Sequence, residues 1–172
     1  MNLNKTIISF LFGLSVVVPS FAAQEVVVGG EEEAKEVNSF LGTMGEQLLT
    51  NAKKYIGRPY RRGSNGPRAF DCSGFTKYVF NTMNVTLNRT SRAQFTQGTS
   101  VSRSEVRVGD LVFFKSAHSG NGVGHVGIVF SVDDDGSFKF IHASCHKGVT
   151  ISSIKEGYYA RRYKGARRIV NF

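Results

Sequence analysis

Four short runs rich in β-branched and aromatic residues follow one another along the chain: LVFFK (111–115), HVGIVFS (125–131), FKFIHAS (138–144) and VTISSI (149–154). Gly and Asp clusters separate them. Runs of this length bounded by turn residues read as strands, and such short connections favour antiparallel pairing. Asp133-Asp134-Asp135-Gly136 reads as a hairpin turn, because its acids lack the remaining ligand positions of a calcium loop. Upstream the period changes. Phe40, Leu41, Met44, Leu48, Leu49, Ala52, Tyr55 and Ile56 recur at helical spacing, which predicts an amphipathic helix over 39–56. The stretch GRPYRRGSNGPRAF (57–70) is a loop punctuated by glycine and proline. Asp71 then caps a helix predicted over 72–83, with Phe75, Val79 and Phe80 facing inward. Leading helices packed on a later antiparallel sheet give an α+β domain.

A length of 172 residues suits one such domain, and 41% hydrophobic content excludes a globally disordered chain. Two cysteines exclude a disulfide framework and a four-cysteine zinc site. The N-terminus reads as a secretory signal. Lys5 precedes the apolar run Ile7 to Val18, Pro19 ends the run, and Ser20-Phe21-Ala22 presents small residues to a signal peptidase. Cleavage after Ala22 or Ala23 makes residues 1–23 the signal peptide. The run is shorter than the roughly 20 apolar residues that span a bilayer, and no cysteine near the cut offers a lipid anchor. The expectation is an exported protein of the bacterial periplasm or cell envelope, without a stable membrane anchor and monomeric.

Charge divides the remainder. Residues 24–44 are acidic, contain Gly29-Gly30 and read as a flexible linker, leaving 45–172 as the globular domain. The whole chain carries a net charge of +9; from Gln47 onward, 20 basic residues stand against 7 acidic ones. That surplus is either a solvated face or an attraction to an anionic polymer. Nucleic acid is not an expected partner, since export argues against it and no base-reading motif or zinc-finger spacing occurs.

Three residues suggest chemistry. Cys72 falls in the first turn of its predicted helix, where unpaired amides and the helix dipole favour a thiolate and could hold an oxyanion. His125 and His142 fall on successive predicted strands, which can bring one imidazole to the other as base and orienter. Cysteine and histidine content alone favours an inert core thiol and packed imidazoles over catalysis. No metal is expected, because the four histidines show no helical ligand spacing with a third ligand, and no cofactor is expected either.

The order of motifs decides between these readings. DCSGF after PYRRGS, then RTSRAQ, VGDLVFF, HVGI, FIHAS, GVTIS and the terminal RYKGARR, resembles the NlpC-type cell-wall endopeptidases, which are papain-like cysteine peptidases. The likeness runs from about Leu48 to the C-terminus and looks most like the single-domain Spr-type murein endopeptidases. It implies Cys72 as nucleophile, His125 as general base and acid, and His142 as the residue that orients it. Tyr60 then stabilises the oxyanion, and Ser73 and Gly74 shape the turn and its access. Arg89 and Ser91 line the substrate groove or form a surface ion pair, while Asp71 serves as a cap and Asp110 fixes a turn. The implied substrate is the peptidoglycan stem peptide, cut at a D-glutamyl–diamino acid or D-alanyl–diamino acid bond. An amidase or acyltransferase on another envelope substrate, or a non-catalytic wall-binding module, are the alternatives. The chain departs from the family by having no Trp, with Arg62 in its place, and by Ser64 where a second glycine is usual. Strand alternation turns Cys145 away from the face of His142, which argues against a Cys72–Cys145 bridge. His118 and His146 read as surface residues.

Overall fold

The computed structural model describes residues 30–116 and 120–171. The signal read over residues 1–23 and the imidazole of His118 lie outside them. Helix α1 (Gly30–Lys53) leads, followed by α2 (Cys72–Asn81), a short α3 (Ser91–Gln94), β1 (Thr99–Val101), β2 (Leu111–Lys115), β3 (Val123–Val132), β4 (Phe138–Ser144), β5 (Gly148–Ser153), α4 (Gly157–Arg162) and β6 (Tyr163–Arg168). One antiparallel sheet takes the order β1-β6-β2-β3-β4-β5. Among the described residues, no helix is long and apolar enough to cross a membrane.

Both faces of the sheet are covered, and period-2 alternation sorts the side chains between them. Leu111, Phe113, Val126, Ile128, Ile141 and Ala143 meet Phe75, Val79 and Phe80 of α2 and Leu48, Leu49 and Ala52 of α1. Val112, Phe114, Val129, Phe138 and Phe140 form the opposite cluster, closed by Tyr159 of α4 and Tyr163. The inward face foreseen for α2 is the observed one, and the hairpin turn also stands. There the Asp133 amide donates to the Ser137 carbonyl at 2.8 Å, and Gly136 takes φ +72°.

The front of the domain differs from expectation. The flexible linker read up to residue 44 is helical from Gly30 onward, and α1 ends at Lys53 rather than Ile56. Glu32, Glu33 and Glu36 are good helix formers and favour the positive end of the helix dipole, so the absence of apolar periodicity there did not mean absence of helix. That first half is solvent-facing, with Phe40 64% exposed, and only the last turns of α1 enter the core.

The loop from Gly57 to Phe70 is held by backbone bonds at both ends. Gly57 donates to Val149 and Val149 to Arg58, each at 2.8 Å, joining the loop to β5. Asp71 donates to the Ser64 carbonyl at 2.9 Å, joining it to α2. A Cβ on Gly74 would collide with that same Ser64 carbonyl, so glycine lets the loop close on the first turn of α2.

Candidate active site

Asp71 is the N-cap of α2, as its sequence position foretold. Its Oδ1 accepts from the Gly74 amide at 2.7 Å and its Oδ2 from the Gly63 amide at 2.9 Å. Arg89 closes on the same carboxylate with a bidentate contact, Nη2 to Oδ2 at 2.6 Å and Nη1 to Oδ1 at 3.1 Å, and its Nη1 also donates to the Ser73 hydroxyl. This guanidinium and the two amides outweigh burial and hold the Asp71 carboxyl below its ordinary value. Arg89 thus forms its ion pair with a buried carboxylate rather than on the surface, and it also lines the cleft with Ser91.

That cleft, about 540 Å³, is lined by Tyr60, Arg62, Gly63, Asp71, Cys72, Ser73, Arg89, Thr90 and Ser91. Cys72 opens α2 at its floor and is 8% exposed. Amides of Ser73 and Val126 point to its sulfur, but burial first and the Asp71 carboxylate second push the thiol up to about 11. The lowered pKa expected from the helix terminus is thus corrected. Two amides and a helix end do not offset removal from water beside an anion. Tyr60 stands over the same cleft, and burial, followed by the neighbouring thiols of Cys145 and Cys72, raises its hydroxyl well above the usual phenol range.

The imidazoles lie next door. His125 Nε2 and His142 Nδ1 are 2.8 Å apart, with their rings nearly perpendicular. Two consecutive residues of β3 thus serve one place: Val126 turns its amide to the Cys72 sulfur, and His125 turns its ring to His142. Gly127 allows the close approach, because a Cβ there would press on the Phe140 ring at 2.7 Å and on His142 Cβ at 3.1 Å. His142 is fully buried. Burial lowers His125 to about 4; burial, then His125 and Lys147, lower His142 to about 2. Burial thus disfavours the charged form of the thiol and of both imidazoles.

The roles of two further residues, Gln94 and Tyr159, escaped the sequence reading. Gln94, fully buried, donates through Nε2 to the Ser73 carbonyl (3.0 Å) and the Asn88 carbonyl (2.8 Å) and accepts from Thr76 (2.8 Å), clamping the first turn of α2. Tyr159 places its hydroxyl 3.4 Å from His142 Nε2. Cys145 is exposed and lines a second cleft of about 310 Å³ with His125, His146, Lys147, Glu156, Tyr158 and Tyr159. Alternation was the wrong guide to Cys145, because β4 ends at Ser144 and the cysteine lies in the following turn. It and Cys72 are both free thiols. His146 is exposed, at the rim of the same cleft. Among the described residues no three His, Cys, Asp or Glu side chains are grouped to hold a metal ion.

With this geometry in hand, residues 57–168 match the NlpC/P60 family. The chain belongs to that family. It is 40% identical over 126 residues to the murein DD-endopeptidase MepS/murein LD-carboxypeptidase of Escherichia coli strain K12, an overlap covering 73% of this chain and 63% of that protein. It is 39% identical over 122 residues to a probable endopeptidase p60 of Listeria grayi, covering 71% of this chain and 22% of that one. Among solved structures, the NlpC/p60 domain of the peptidoglycan hydrolase SagA superposes with a TM-score of 0.60 at 31% identity, over 72% of this chain and 97% of that one. An NlpC/P60 family protein from Bacillus cereus gives 0.65 at 29%, over 73% and 40%. The fold is the papain-like α+β arrangement of NlpC/P60 domains. The aligned part spans less than two thirds of the curated relatives' length. Cys72, His125 and His142 all fall inside the NlpC/P60 match.

Proposed function

We propose that the protein is a peptidoglycan endopeptidase that cuts stem peptides through a Cys72 thioester. The observation that carries this reading is the line from the Val126 amide at the Cys72 sulfur to the 2.8 Å contact between His125 and His142. His142 occupies His125 Nε2, which leaves Nδ1 as the base for the thiol.

Substrate binding brings a peptide carbonyl to the sulfur. The Cys72 proton passes to His125 Nδ1 as the S–C bond forms, and the tetrahedral oxyanion is received by the Cys72 amide and the Tyr60 hydroxyl. The C–N bond breaks, and His125 returns its proton to the leaving amine. Water then attacks the thioester with His125 taking one of its protons; the acid leaves and the proton goes back to the sulfur. Because burial disfavours charge on both Cys72 and His125, proton transfer accompanies attack rather than preceding it.

Murein is anionic, and the +9 chain is electrostatically suited to it. The substrate assignment draws on the named relatives: a murein endopeptidase and a peptidoglycan hydrolase. Residues 1–23 act as an export signal in this reading, residues 45–172 form the peptidase domain, and the enzyme works as a monomer in the envelope. Incubating the protein and its Cys72→Ala variant with purified muropeptides, followed by mass spectrometry, tests the proposal. New fragments are expected from the unaltered protein alone, with masses that name the bond. Equal fragmentation by Cys72→Ala would falsify the cysteine mechanism.

A further inference from the structure

His142 has two ring nitrogens, and both are engaged: Nδ1 faces His125 Nε2 at 2.8 Å, and Nε2 faces the Tyr159 hydroxyl at 3.4 Å. Full burial denies His142 a water partner. Its protonation therefore cannot be chosen independently of its two neighbours.

Consider the two neutral tautomers. If His142 carries its proton on Nδ1, that N–H donates to His125 Nε2, and the His125 proton must sit on Nδ1. The nitrogen left for Cys72 is then a donor, and no base faces the thiol. If His142 carries its proton on Nε2, its Nδ1 accepts from His125 Nε2–H, and His125 Nδ1 presents a lone pair. The second arrangement also suits the imidazolium of His125 formed during attack, since Nε2–H is present in both states.

The productive tautomer needs an acceptor for a buried Nε2–H, because an unpaired buried donor is costly. Tyr159 is the group in position, and it accepts only when its own O–H is turned elsewhere, since a hydroxyl donating to Nε2 would favour the Nδ1–H tautomer instead. Its ring is fixed by Phe114, Phe140, His142 and Tyr158, with centroids 4.9–5.4 Å away, and the Ser152 hydroxyl of β5, hydrogen-bonded to its oxygen, offers the acceptor for its O–H.

We propose that Tyr159, with its O–H turned to Ser152 and its oxygen accepting from His142, is a positioning residue that selects the Nε2–H tautomer of His142, and through it the base form of His125 toward Cys72. It acts through His142 and need not touch the scissile bond. The proposal rests on the peptidase reading for its effect on rate, but not for its effect on the tautomer.

Tyr159→Phe removes one oxygen and keeps the aromatic packing. Two readouts apply, each on the full chain. Long-range nitrogen–proton NMR of the histidine side chains should show His142 protonated on Nε2 in the unaltered protein and shifted toward the Nδ1–H form in Tyr159→Phe. In muropeptide cleavage the variant should lose about tenfold in kcat, the scale of one buried hydrogen bond, with KM little changed. The thermal midpoint checks that the variant folds. An unchanged His142 tautomer in a folded Tyr159→Phe would overturn the proposal, as would a loss confined to KM, which would make Tyr159 a substrate contact. If the unaltered protein cleaves no muropeptide, the peptidase reading fails, while the NMR comparison still decides the role of Tyr159.

Discussion

At Cys72 two influences oppose each other, and their balance governs reactivity. The α2 terminus supplies amides that favour a thiolate, whereas burial and Asp71 favour the thiol, and the outcome is a value near 11. Iodoacetamide labelling of Cys72 should therefore climb steeply with pH above neutrality, with a midpoint around 11. A preformed thiolate–imidazolium pair would instead label fully at pH 6. Removing the Asp71 charge acts in a known direction: Asp71→Asn should speed labelling at pH 8, because the carboxylate is the second cause of the raised value. That Cys72 opens a helix and that His125 and His142 sit on neighbouring strands was legible in the sequence, from a helix cap and two strand runs, whereas the roles given to them came from the likeness to the family. The protonation states were not. They depend on how tightly α2, β3 and the 57–70 loop exclude water, which no local pattern records. Tyr159 lacked any signal for the same reason, since its partner lies on a different element.

Among the elements, α2 depends most on polar contacts. Asp71 caps it, pairs with Arg89 and anchors Gly63, so Asp71→Ala removes the cap and leaves a half-buried guanidinium without its partner. A loss of about 2 kcal/mol is expected in urea unfolding, of which a cap alone supplies about 1. Gly127→Ala is a test of the β3–β4 contact. Its added methyl would press on the Phe140 ring and on His142, and activity should fall more than stability does. The strands seen in advance, β2 to β5, carry alternating or continuous apolar runs. β6 (YKGARR) and β1 (TSV) do not, because β6 buries only Ala166 and covers its flanks with long side chains such as Arg167 over the Phe95 ring. α3 and α4 are too short to show a helical period. The acidic start of α1 misled in the opposite sense, as charged residues without apolar period formed a solvent-facing helix.

For the molecule as a whole, the buried His142 and the half-buried His125 link stability to pH. Both have folded values below the unfolded value of about 6.5, so the unfolded chain binds more protons on acidification. Their contribution is intact above pH 6.5; that of His142 goes on being lost toward pH 2, and that of His125, roughly 3 kcal/mol, is lost as pH falls toward 4. Below that, Asp71 adds loss in the same direction, since its depressed value means its contribution disappears as the carboxyl protonates. Urea midpoints measured between pH 7.5 and 4 should decline, and His142→Asn should flatten the decline. The far end of the chain is tied in by Arg168, which grips the 2% exposed Asp110 through two nitrogens at 2.9 and 2.8 Å, while the Arg107 amide donates to the same carboxylate. Arg168→Ala strands a buried carboxylate and should cost about 3–5 kcal/mol.

The mechanism passes through a covalent acyl group on the Cys72 sulfur, and trapping that group is the decisive experiment. Protein mixed with purified muropeptide, quenched in acid within the first turnover and analysed by intact and peptide mass spectrometry, should gain the mass of the acyl half of the substrate, located on Cys72. A turnover that releases fragments with no adduct, or with the adduct on another residue, would contradict the account.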